Sequence, residues 1–132
     1  MSTALTNGPS VGRVAVWFGA LGGAIAWLAH LLLAYFISEF GCFSGLHGRT
    51  LGGLTAVAWA VLAVSAAMLL IAVAAAWVAY RSDRKIRGHG FRTNTPEGAA
   101  GFLARSGAAT SGLFALIIIA QSIPIFFFLK DC

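Results

Sequence analysis

The chain is short of charge, and shortest of negative charge. Only 10% of its 132 residues are Asp, Glu, Lys or Arg, four of them acidic, against 59% hydrophobic residues. A soluble globule needs polar side chains to cover its surface. This composition, with a mean hydropathy of +0.86, excludes one and leaves a membrane protein. Cysteine is nearly missing as well, with Cys42 and Cys132 the two in the chain. There is no CxxC pair, no serine-histidine-acid set, no phosphate-binding glycine loop and no pair of carboxylates inside an apolar run. Those gaps remove the usual signatures of hydrolases, kinases and redox enzymes, and the sequence predicts a non-enzyme.

What the chain does have is long uncharged stretches. Residues 14–38, 51–80 and 107–129 each exceed the ~20 residues a helix needs to cross a hydrocarbon core of about 30 Å. The first is too long for a secretory signal and reads as a retained span. The expected fold is all-α, an integral membrane three-helix antiparallel bundle. Residues 1–12 read as a disordered tail and residues 13–132 as one transmembrane domain.

Charge sets the expected orientation. Arg13, Arg81, Arg84, Lys85, Arg87, Arg92 and Arg105 place seven of the nine basic residues on one side of the membrane. The positive-inside rule makes that side cytoplasmic, with the N-terminus inside and the C-terminus outside. The basic loop 81–105 then meets anionic lipid, at about 1 kcal/mol per basic residue. Nucleic acid is a poor partner for charge held in one membrane-proximal loop.

Local signals refine the spans. Residues 51–80 would run ~45 Å as a helix, so Gly52 and Gly53 belong to a turn or the helix tilts. "NTPEGAAGFLARSG" offers Thr95 as cap and Pro96 as first helical residue, starting the third helix well before its apolar part. Pro124 lies inside the third span, where a kink is expected rather than a break.

Helices in lipid associate through close packing and interhelical hydrogen bonds, which favours small residues along the contact stripe. Gly19 and Gly23, continued by Ala26, form such a stripe on the first helix. Ala56/Ala60 and Ala63/Ala67 are candidates on the second, and Ala104, Ala108 and Gly112 on the third.

Five polar or aromatic residues interrupt the spans. His30 lies beside Trp27 about 6 Å outward of the first span's centre, and Gln121 sits at a similar depth in the third. An ionisable group inside a span must find a partner. A neutral His30 bonded to Gln121 or a backbone carbonyl is the expectation, with haem ligation as the alternative. Tyr35, Glu39 and Cys42 recur at steps that return to one helix face, and Glu39 is near enough to water to be hydrated or paired with Arg49. Cys42 and Cys132 both follow outward-running spans, so they share the oxidising face, where a disulfide is favoured. Free thiols, or a copper site made with His47, are the other options.

The run "AWLAHLLLAYFISEFGC", with Trp27, His30, Tyr35, Glu39 and Cys42, and the run "FLARSGAATSGLFALIIIAQSIPIFFFLKDC", ending in Cys132, resemble a group of small bacterial three-span proteins encoded among the genes for haem-copper cytochrome c oxidases. The resemblance covers spans one and three. It implies a bacterial cytoplasmic-membrane protein serving as a non-catalytic accessory subunit or assembly partner of the oxidase, docking through its small-residue helix faces. Handling of haem or copper through His30, or through Cys42, His47 and Cys132, is the first alternative. A standalone structural membrane protein with no cofactor is the second.

Overall fold

The computed structural model describes residues 12–87 and 96–128. Helix α1 spans Arg13–Phe43, α2 spans Ala56–Arg87 and α3 spans Pro96–Ser122, with a last turn of helix, α4, at Ile125–Phe128. Each long helix contains a segment long and apolar enough to cross a bilayer: Val14–Phe43, Ala56–Lys85 and Ala99–Ser122. The protein is an all-α integral membrane bundle of three helices. Residues 1–11 of the expected tail 1–12, Arg92, the Thr95 cap and Cys132 lie outside the described residues.

Contacts between the helices fix their directions. Gly41 meets Val57 and Gly19 meets Ala79, so α2 runs antiparallel to α1 with a nearly constant register. Gly107 meets Ala20 and Gly23 meets Ser111, so α3 runs parallel to α1.

The connection between α1 and α2 is more structured than a glycine-rich turn. A single 3-10 turn, Leu46–Gly48, leads into strand β1 (Thr50–Leu51), which pairs antiparallel with β2 (Leu54–Thr55). Gly52 and Gly53 form the turn with φ of 61° and 80°, the left-handed pair that a two-residue hairpin demands. An α-helix cannot pass through two such residues, so α2 starts at Ala56 rather than at residue 51. Thr55 caps it, its Oγ1 accepting from the Ala58 N–H at 3.2 Å. The indole N–H of Trp59 donates to the Leu51 carbonyl at 3.0 Å and pins the hairpin to the helix.

The third helix begins at Pro96, where its start signal places it, and then departs from expectation. Instead of kinking at Pro124 it stops at Ser122, turns, and resumes as α4. Proline has no N–H to give Ala120 and its ring collides with that carbonyl. It also disfavours helical backbone at Ile123. The Ile123 N–H bonds Ala120 at 3.3 Å in a tightened turn, and Ile125 packs back among Ala58 and Val61.

Small residues line the seams, though not all those that the sequence suggests. A Cβ on Gly19 would lie 2.8 Å from the Ala79 Cβ, and one on Gly23 would lie 2.5 Å from the Ser111 Cα. Ala26 is buried with Ala72, Ala115 and Ile118 in the central core. On α3 the stripe runs through Ala104, Gly107, Ser111, Ala115 and Ile118, not through Ala108 and Gly112. A Cβ on Gly112 meets nothing within 4 Å among the described residues, and Ala108 is half-buried. Repeated steps of four rotate away from a seam, whereas alternating steps of three and four stay on it. On α2, Ala60, Ala63 and Ala67 are exposed, while Ala58, Ala72, Ala75 and Ala79 face inward. A helix rich in alanine all round does not announce which face it will bury.

Candidate functional site

The middle of the bundle holds a polar cluster built from all three helices. His30 on α1 is 3% exposed, because the glycine and alanine seam below it draws the helices together around its ring. Its Nε2 lies 2.9 Å from the Oγ of Ser65 on α2. Ser65 is buried too, and its hydroxyl donates to the carbonyl of Val61 one turn earlier at 2.8 Å. A hydroxyl has one proton to give. With that proton directed to Val61, the His30–Ser65 contact is a donation from Nε2–H to Oγ.

The partner expected from the sequence, Gln121, faces the ring from α3. His30 Nδ1 and Gln121 Oε1 are both buried without a hydrogen-bond partner among the described residues, and so is Trp27 Nε1. Trp27 itself is held by Phe114 of α3, ring centroids 5.2 Å apart. Sequence reasoning thus names Trp27, His30 and Gln121 and misses Ser65, the hydroxyl that His30 meets. Ser65 interrupts the long apolar stretch of the second span, and that interruption is the signal that could have found it. Ser111 is missed for the same reason; its Oγ donates across the α1–α3 seam to the Gly19 carbonyl at 3.0 Å.

At the hairpin end, α1 turns an aromatic strip away from the bundle. Tyr35 meets Phe36 edge-on, and Phe36 stacks on Phe40 with centroids 6.1 Å apart. Glu39 is exposed within this strip, and among the described residues no ion pair joins it to Arg49. Cys42 is half-buried beyond it. The Cys42–Cys132 pairing and the Cys42, His47, Cys132 copper set both depend on side chains outside the described residues. Among the described residues no group of three His, Cys, Asp or Glu is placed to hold a metal.

The opposite end carries the arginines. Arg81 lies over the Trp77 ring at 5.4 Å and Arg84 over the Tyr80 ring at 5.6 Å. Such contacts suit an aromatic belt at a membrane boundary, where a cation stays wet above an apolar ring. Lys85 is exposed beside them. Arg105 reaches from α3 to Asp83 on α2, Nε to Oδ1 4.0 Å. With the arginine side chain 64% exposed, a pair at that distance adds little stability. It does set Arg105 apart from a purely lipid-facing role. The side chains of Arg13 and Arg87 lie outside the described residues.

Neither a family model, nor a curated protein, nor a solved structure matches this chain, so its function has to be argued from its own residues.

Proposed function

We propose that the protein is a non-catalytic accessory subunit or assembly partner of a respiratory cytochrome c oxidase in a bacterial cytoplasmic membrane. Its N-terminus and basic connector lie inside and its C-terminus outside. The support is the likeness of its first and third spans to the small proteins of oxidase gene clusters, together with one structural observation. The strip of Tyr35, Phe36, Glu39 and Phe40 points away from a bundle whose own seams are already filled.

The small-residue faces suggested for docking are consumed by contacts within the chain, at Gly19, Gly23 and Gly107. Docking therefore moves to the aromatic strip. A carboxylate set among aromatic rings at the membrane boundary favours an oxidase subunit that offers a hydrogen-bond donor between apolar contacts. At the other end, Arg81, Arg84 and Lys85 meet anionic lipid headgroups. Cys42 and Cys132 form a disulfide on the outer face, tying the end of the chain to the first connection. A haem role for His30 is disfavoured, because Nε2 is engaged by Ser65 inside a closed seam.

Co-purification in mild detergent tests the reading. Oxidase subunits travel with the wild-type chain, and Tyr35→Ala with Glu39→Gln reduces their yield while the bundle stays folded. A chain that leaves the membrane alone in every detergent sinks the oxidase proposal and favours a standalone structural protein.

A further inference from the structure

We propose that the groove between α1 and α2 seats one acyl chain of an anionic phospholipid, whose phosphate is held at the arginine-rich end of the bundle. This rests on the reading that the basic residues meet anionic headgroups, and adds where such a lipid puts its tail. It holds whether or not the chain docks to an oxidase. The groove has a volume of about 700 Å³, and the indole N–H of Trp17 is the polar side-chain group in an otherwise apolar lining. Its floor exists because Gly22 has no side chain: a Cβ there would lie 2.8 Å from the Ala75 Cβ and 3.5 Å from the Phe18 ring. Ala26 and Ala29 continue the small lining, with Leu21 and Ile25 beside them on α1 and Met68 and Ile71 across on α2.

Length and charge name the occupant. Gly19 meets Ala79, so the belt of Trp77, Tyr80 and Arg81 stands level with residues 17–21 of α1. From Trp17 to Ala29 the groove then runs about 18 Å along the helix, close to half of a hydrocarbon core of about 30 Å. Its mouth offers donors. Trp17 brings its indole N–H, Arg13 opens α1 just before Val14, and Lys85 lies about four turns beyond Ile71 on the same face of α2. Asp83 is turned away from this mouth, toward Arg105 on α3. A phosphate takes such donors and an alkyl tail needs none. A partner helix would look for hydrogen-bonding groups along the contact, and beyond Trp17 the lining side chains have none.

Photolabelling of the full chain in phosphatidylcholine bilayers tests this, with phosphatidylglycerol carrying a diazirine on its acyl chain as the probe. Label is expected on Leu21, Ile25 and Ile71, competed by unlabelled phosphatidylglycerol and not by added phosphatidylcholine. Lys85→Gln should raise the phosphatidylglycerol needed for half-competition about fivefold, the worth of one basic residue near the surface. Leu113 and Leu116, exposed on α3, should take label without that selectivity. Equal competition by both lipids in the groove, or competition unchanged in Lys85→Gln, overturns the proposal. So does a groove shielded from label by a second copy, read as disulfide cross-linking between Leu21→Cys chains. Selective label near Trp77 and Tyr80 with none in the groove leaves the headgroup contact standing and overturns the tail seat, whereas selective label at neither place overturns both. If Lys85→Gln does not fold, the wild-type competition decides alone.

Discussion

Helix α1 meets its neighbours in two different ways along its length. From Gly19 to Gly23 it touches them almost backbone to backbone, with Gly23 against Ser111 and Gly19 against Ala79. From Trp27 to His30 the gap is filled by large side chains with polar tips, which meet Phe114 and Ser65. In lipid the first arrangement draws its stability from close dispersion contacts. The second contributes directional bonds, each valuable only when both partners are present. The glycine region therefore sets how near the helices stand, and the histidine region sets how they are rotated.

Substitutions that act on one region alone can break that distinction. The largest effect is expected from Gly23→Val. Its Cβ would fall 2.5 Å from the Ser111 backbone, where nothing can swing aside. Destabilisation of about 3 kcal/mol or more is expected from overpacking against main chain, read as a drop in thermal midpoint in detergent. A loss below about 1 kcal/mol would mean that the helices do not close on glycine. Next is Ser65→Ala, which removes the acceptor of His30 Nε2 and keeps the packing. It should lose about 1–3 kcal/mol and change the His30 tautomer, whereas an unchanged ring signal would show that Ser65 does not orient it. Smallest is Gly112→Ala. That position has open space, so the added methyl should be neutral or stabilise by up to about 1 kcal/mol through helix propensity. A marked loss there would place Gly112 in a seam after all.

Part of this architecture is legible in the amino-acid sequence. The spans follow from hydropathy, because the lipid interior enforces it on each helix separately. The start of α3 at Pro96 and the turn at Gly52 and Gly53 follow from backbone chemistry local to those residues. Ser65 is not legible as a partner, since its meeting with His30 depends on how α2 is rotated against α1, and that rotation is fixed by residues of both helices acting together. Spacing misplaces Gly112 for a related reason. Steps of four suggest a stripe, yet the true seam on α3 passes through Gly107 and Ser111 instead. The stop before Pro124 reads as a bend because the sequence shows the missing N–H but not whether neighbours will bridge it.

The hairpin at the end of α1 has a mechanical meaning. Pairing of Thr50 with Thr55 and of Leu51 with Leu54, clamped by Trp59, makes the hairpin a rigid extension of the start of α2, joined to α1 by the short turn Leu46–Gly48. A slide of α1 past α2 by a helical turn, about 5.4 Å, would have to be taken up in that short turn or else tear the clamp. The hairpin thus leaves little slack for the first two helices to slide along each other.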